Sequence, residues 1–356
     1  MRLPPLIIGD LKAKVPIIQG GMGVGISGHR LSQAVANEGG IGIISGVQIG
    51  YREPDFETDT EAANIRALKK ELRKARQLSP KGIIGVNIMV AVSDYDKMVK
   101  TCIEEKADLI ISGAGLPLTL PKLVEGSNIK IAPIVSSAKA ASIIIRQWEK
   151  KHSRIPDLVV VEGPKAGGHL GFHLEQLQSG NEQLENIVPE VIKVVKTFEE
   201  KYKRKIPVVA AGGIYTGSDI VKFLKMGASG VQMGTRFVAT EECDASINYK
   251  NAYVNSKKED IKLIKSPVGL PGRAINNKFI KTAEKHRIAP TKCYNCLKKC
   301  DPKDTPYCIS RALINAVEGN LDEALIFVGS NAYRVDKIVK VKDLINELVT
   351  EAESEN

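Results

Sequence analysis

Eight short apolar runs, separated by amphipathic stretches, constrain this 356-residue chain more than any other feature. They cover residues 16–19, 41–45, 83–87, 109–112, 131–135, 158–162, 208–211 and 231–233. Each is nearly continuously apolar, the pattern of a strand buried on both faces. Helical periodicity fills the gaps at 32–37, 61–78, 93–105, 138–150, 181–202 and 218–226, and a proline-bearing connection at 116–124 reads as a short irregular helix. Parallel strands need such crossovers, and eight units can close so that every edge is paired. The expected fold class is α/β, a (β/α)8 TIM barrel over residues 1–240. An open doubly wound sheet is the alternative.

Beyond residue 240 the strand pattern is lost. Residues 241–335 read as a helical extension over the barrel mouth, carrying a cysteine cluster. Residues 336–356 read as an amphipathic helix at 339–348 followed by a frayed acidic tail, EAESEN.

Composition narrows the class. Apolar residues at 43% and charged residues at 26% describe an ordinary globular protein and exclude disorder, collagen and a disulfide-dense miniprotein. No apolar run is long enough for a membrane span, and the start, MRLPPLIIGD, makes a poor signal peptide, so a cytoplasmic location is expected. The net charge is +10, but the basic residues interleave with acidic ones as on solvated helix faces. Few aromatics and no RNA-binding signature argue against a nucleic-acid partner.

In a barrel the chemistry sits where strands end. The first strand runs into Gln19-Gly20-Gly21-Met22-Gly23, glycines that let backbone approach a flat ring or a phosphate. This segment does not complete G-x-G-x-x-G, because Ile26 stands at the third glycine position. The third strand closes on Asn87, the fourth on Ser112 and the fifth on Ser136-Ser137; such residues face a ligand or cap a helix. The sixth leads through Glu162 into Gly163-Pro164-Lys165-Ala166-Gly167-Gly168-His169. An imidazole among glycines can reach a substrate and move protons near neutral pH, so His169 is the candidate catalytic residue. His29, His152 and His286 read as surface residues. The seventh and eighth strands end in Ala211-Gly212-Gly213 and Met233-Gly234-Thr235, where barrels commonly hold a phosphate. FMN or a sugar phosphate is the expected ligand.

Four cysteines, Cys293, Cys296, Cys300 and Cys308, stand in C-x2-C-x3-C-x7-C spacing. Four thiolates complete a zinc site or hold an iron–sulfur cluster. This spacing matches neither the common ferredoxin run nor a zinc ribbon, so free thiols or adventitious disulfides are the other reading. Cys102 falls on a predicted helix and reads as core.

The segments QGGMG, EGPKAGGHLG, AGGI and MGTRF, in that order, resemble the nitronate monooxygenase (2-nitropropane dioxygenase) family and the related FMN-dependent enoyl-acyl-carrier-protein reductases, over roughly residues 5–280. The resemblance implies non-covalent FMN, with Gln19, Gly20, Gly21, Met22 and Asn87 at the flavin ring and Gly167 and Gly168 approaching it. It implies Gly212, Gly213, Gly234 and Thr235 at the phosphate, and His169 as catalytic histidine. Glu162, Ala211 and Met233, which close their strands, complete the candidate cofactor residues. Oxidation of alkyl nitronates with O2 is the implied activity. An NAD(P)H-dependent enoyl reductase, with acidic acyl carrier protein as partner, is the alternative. A non-flavin barrel binding a phosphate ligand is the reading from another class. A homodimer is left open. One departure is Lys165, where relatives often carry an acidic residue, and it leaves the charge beside His169 open. The loop SPVGLPGRAINN (266–277) resembles the reductase branch; its Arg273 meets a phosphate or carboxylate there, or else lies on the surface.

Overall fold

In a computed structural model, which describes residues 2–355, all eight apolar runs are strands. They are β1 (Ile17–Gln19), β2 (Ile41–Ser45), β3 (Ile83–Met89), β4 (Leu109–Gly113), β5 (Lys130–Val135), β6 (Val159–Glu162), β7 (Val208–Ala211) and β8 (Gly230–Met233). Each pairs in parallel with the next, and β8 returns to β1, so the sheet is a closed barrel and not an open doubly wound one.

The crossovers are α1 (His29–Asn37), α2 (Thr60–Leu78), α3 (Tyr95–Glu104), α4 (Leu120–Leu123), α5 (Ala138–His152), α6 (Leu184–Tyr202) and α7 (Gly217–Lys225), and α8 (Thr235–Val238) follows β8. Local chemistry sets several starts. Asp59 accepts from the Ala62 amide, Ser137 from the Ala140 amide, and Thr216 forms a reciprocal box with Asp219. Ser137 therefore spends its side chain as a cap. Ser112 is fully buried and bonds Tyr95 and the Ile88 carbonyl, so neither serine is a ligand at the mouth.

Side chains alternate between two cores. Ile18, Ile41, Ile43, Leu109, Ile111, Val160 and Val209 fill the barrel, and the opposite strand faces pack on the helices. The barrel floor is sealed by an N-terminal hairpin, Leu6–Ile8 paired with Leu11–Ala13. Leu6 and Ile8 are fully buried in the interior cluster.

The extension differs from expectation. It holds α9 (Ile247–Val254), α10 (Lys278–Lys285) and α11 (Ile309–Glu318), but also an antiparallel hairpin of β9 (Ile261–Lys265) and β10 (Pro271–Ile275). Residues 241–335 are thus mixed, not helical throughout. The hairpin turns through Gly269 at φ +83°, a conformation that costs glycine little. The last helix, α12 (Val341–Ser354), includes most of the segment expected to fray. Its Glu351 carboxylate accepts from the Gly217 amide at 2.7 Å, which ties the acidic end to the start of α7.

Candidate active site

A cavity opens at the C-terminal ends of the strands. Of the fifteen residues expected to bind or act there, fourteen line it: Gly20, Gly21, Met22, Asn87, Glu162, Gly167, Gly168, His169, Ala211, Gly212, Gly213, Met233, Gly234 and Thr235. Gln19 does not. Its fully buried amide accepts from Ile43 N at 3.1 Å and donates to Ile43 O at 3.2 Å, clamping β1 to β2 behind the wall.

Glycine is required here by space and by conformation. A Cβ on Gly21 would stand 2.3 Å from that of Asn87. Gly212 and Gly213 sit at φ +95° and +91°, where L side chains are strained. Gly168, at φ +73°, has open space where its Cβ would be. Two buried polar atoms of the wall, Gln232 Oε1 and Ser330 Oγ, have no hydrogen-bond partner. Buried polar groups are rarely left so, and a polar ligand would satisfy them.

His169 belongs to a two-residue strand, Gly168–His169, that pairs with β10 as a third strand. Its Nε2 lies 2.7 Å from Ser266 Oγ, and its ring meets Phe327 edge-on at 4.9 Å. Burial pushes its pKa down to about 4, so the ring is neutral at pH 7. Glu162, at the end of β6, shows the opposite displacement. Burial raises its carboxyl to about 8.

Ser266 opens the loop 266–277 singled out from the sequence, but Phe327 and the irregular cover segment 328–331 were not anticipated. They come from the extension, and pattern gives no signal for a contact so remote in sequence. Asn331 donates to the Gly213 carbonyl at 2.7 Å, and Ser330 N donates to Lys165 O at 3.1 Å. Lys165 itself is exposed at the rim. Arg273 is half-buried and not a surface residue; its guanidinium donates to Ala166 O and holds the histidine loop. His173 is exposed outside the cavity, where its backbone amide bonds Gln176. His29 is not free on the surface either: its Nδ1 lies 2.8 Å from Glu71.

Of the four clustered cysteines, Cys296 lines the cavity and the other three do not. All four are free. Among the described residues, the one set of three potential ligand atoms within 4.8 Å is His29, Glu71 and Asp244. The two carboxylates there accept backbone amides at the start of α1, which makes them helix caps.

A closed parallel barrel whose strand-end glycines and His169 line one cavity has the architecture of a TIM-barrel enzyme. The chain belongs to the nitronate monooxygenase family, whose family model matches residues 5–351. A carboxyl-CoA dehydrogenase of Rhodococcus jostii, (3aS,4S,5R,7aS)-5-hydroxy-7a-methyl-1-oxo-octahydro-1H-indene-4-carboxyl-CoA dehydrogenase, is 29% identical over 269 residues, 76% of this chain; the chain spans only 65% of that relative's length. A probable nitronate monooxygenase of Staphylococcus aureus is 28% identical over 296 residues, covering 76% of this chain and 78% of the relative. Among solved structures, FabK from Thermotoga maritima superposes with a TM-score of 0.74 at 28% identity, covering 96% of this chain and 93% of that one. Nitroalkane oxidase from Streptomyces ansochromogenes shares the fold, with a TM-score of 0.72 at 20% identity over 96% of each chain. No helix among the described residues is long and apolar enough to cross a membrane.

Proposed function

We propose that this protein is an FMN-dependent oxidoreductase that oxidises alkyl nitronates with O2. The observation that carries the reading is the neutral His169, held by Ser266 in a cavity walled by strand-end glycines. FMN bound there would supply the electron acceptor and the reactivity toward O2. Gly212, Gly213, Gly234 and Thr235 would hold its phosphate, Gly20, Gly21, Met22 and Asn87 its ring, and Gln232 and Ser330 would each gain a partner.

The protein's own part is to bind and orient. A nitronate is an anion whose carbon proton has already been lost. It needs a hydrogen-bond donor at its oxygens more than a strong base, and a neutral imidazole is such a donor. Phe327 and Val328 keep the histidine's side of the cavity apolar, which strengthens that bond.

One observation favours a second reading, an NAD(P)H-dependent enoyl-thioester reductase. Glu162 keeps its proton through neutral pH and stands in the same cavity, so it can donate to the α-carbon of a reduced enoyl group. The +10 charge suits an acidic acyl carrier as partner.

Anaerobic stopped-flow absorbance of the FMN-loaded protein separates the two. It is mixed in turn with propyl nitronate, NADH and NADPH. Bleaching by the nitronate alone is the expected result. Fast bleaching by a nicotinamide and none by the nitronate overturns the monooxygenase reading in favour of the reductase. A protein that binds no FMN overturns both.

A further inference from the structure

Four segments far apart in sequence meet at one wall of the active-site cavity, and they meet through polar side chains. Gln48 follows β2, Asn64 stands on α2, Asp94 precedes α3, and Ser310 lies in the first turn of α11. Gln48, Asn64 and Ser310 are exposed by only 4%, 3% and 2%. Gln48 and Ser310 line the cavity beside the apolar side chains of Val24, Val47, Ile309 and Leu313. Polar groups in such a place are costly unless each is satisfied, and a satisfied chain of them fixes one arrangement.

The direction of this chain is set at its far end. The Gly50 amide donates to Asn64 Oδ1 at 2.9 Å. A backbone N–H can only donate, so Asn64 turns its NH2 the other way. That group donates to Asp94 Oδ2 and to Gln48 Oε1, each at 3.0 Å. With its oxygen committed, Gln48 presents its own NH2 to Ser310 Oγ at 2.9 Å. Ser310 therefore accepts on that side, and its hydroxyl hydrogen points elsewhere. The acceptor it meets there is the sulfur of Cys296, on the same cavity wall. A thiol is a weak acceptor, and a ligand oxygen outcompetes it.

The backbone is bent to serve this chain. Gln48 stands at φ +48°, a left-handed conformation that strains a residue with a Cβ. Such strain persists where the surroundings over-determine it, and it collects at ligand sites. A Cβ on Gly50 would fall 2.4 Å from the Ala63 carbonyl carbon, so glycine lets this loop lie on α2 closely enough to orient Asn64.

We propose that Ser310 is a substrate-binding residue whose hydroxyl donates to an oxygen of the bound anionic substrate, and that Gln48 and Asn64 are positioning residues that hold it as a donor. The inference rests on the nitronate reading for the kind of substrate, a planar anionic head on an alkyl chain. His169 and Ser310 line the same cavity, so the two oxygens of such a head have two donors available. The apolar neighbours of Ser310 suit the alkyl chain.

The test uses propionate, a carboxylate with the shape and charge of a small nitronate but no reaction with flavin. The FMN-loaded full-length protein is titrated with it by calorimetry. Ser310→Ala should weaken binding by about 10–100-fold, the usual worth of a hydrogen bond to a charged group, and Ser310→Thr should restore most of it. Gln48→Glu turns an acceptor toward Ser310, so the hydroxyl donates to it and is lost to the ligand. Binding should weaken in this variant too, and the double variant should bind no worse than the weaker single one, because both changes remove the same donor. Charge alone would weaken binding equally with or without the hydroxyl, so losses that add overturn the positioning role of Gln48. Equal binding by the parent and Ser310→Ala overturns the proposal, as does a parent that binds no propionate. FMN affinity should be unchanged in Ser310→Ala; its loss would assign the hydroxyl to the flavin and overturn the proposal as well. Propionate binding needs no turnover. A protein bleached only by a nicotinamide that still binds propionate through Ser310 loses the nitronate reading and keeps the donor. One bleached by the nitronate, with propionate affinity indifferent to Ser310, keeps the reading and loses the donor.

Discussion

Glu162 and His169 share one cavity, and burial moves them in opposite directions along the pH scale. Folded Glu162 keeps its proton up to about 8, whereas the unfolded chain releases it near 4.5. The folded state binds the extra proton between those values, so this group makes stability fall as pH rises through that window. His169 is neutral in the fold down to about 4, while the unfolded chain takes up a proton below 6.5. Its contribution is lost as pH falls from 6.5 toward 4. In cofactor-free protein, Glu162→Gln should therefore raise the urea midpoint relative to the parent more at pH 8 than at pH 5; equal shifts would mean that Glu162 ionises normally. His169→Ala should retain FMN and lose turnover by about 10²–10³-fold, the usual worth of a positioned hydrogen-bond donor. Steady-state kinetics with propyl nitronate measures it, and unchanged turnover would leave the histidine with packing on Phe327 as its role.

At the scale of elements, the loops after β7 and β8 are where backbone conformation matters most. Alanine in place of Gly212 must adopt φ +95° and bring its Cβ to 3.0 Å from Ala166 and Gly163 O. A left-handed conformation costs an L residue roughly 1–2 kcal/mol. Gly212→Ala should thus weaken FMN by about tenfold, read by fluorescence titration. What could be seen in the sequence divides along the same line. The eight barrel strands were legible because burial on both faces makes them uninterrupted apolar words, and the segments after them placed fourteen candidate residues in one cavity. The β9–β10 hairpin was not, because Ile261–Lys265 reads I-K-L-I-K, only partly buried, and the other edge of β10 pairs with a two-residue strand about a hundred positions earlier. Gln19 was misjudged for a related reason. A polar residue ending an apolar strand looks the same whether it turns to the mouth or clamps its neighbour, as Gln19 does with Ile43.

For the whole molecule, the barrel is closed at both ends by segments outside the eight repeats. The N-terminal hairpin plugs the floor, and the extension roofs the site. The terminal helix α12 lies against α1 and α7 and buries Leu344, Ile345 and Leu348. Burying one such side chain is worth about 1.5–3 kcal/mol. A chain ending at residue 340 should accordingly lose several kcal/mol and show a markedly lower urea midpoint by circular dichroism. An unchanged midpoint would show that the barrel stands without it. Glu347 pairs with Arg236 at 2.7 Å, directly after the Gly234-Thr235 loop, so the same truncation should loosen the phosphate side of the cavity.

The roof segment that carries Ser330 and Asn331 has a consequence for how the protein is made. Chains leave the ribosome from the N-terminus, and domains begin to fold as they emerge. All eight barrel strands have been synthesised by Met233, yet the cover over Gly213 and Lys165 waits almost a hundred residues longer. The nascent barrel therefore passes through a stage with an open, glycine-lined mouth and no lid. Cofactor that enters then is not yet held, and its retention begins only when the last quarter of the chain has been delivered.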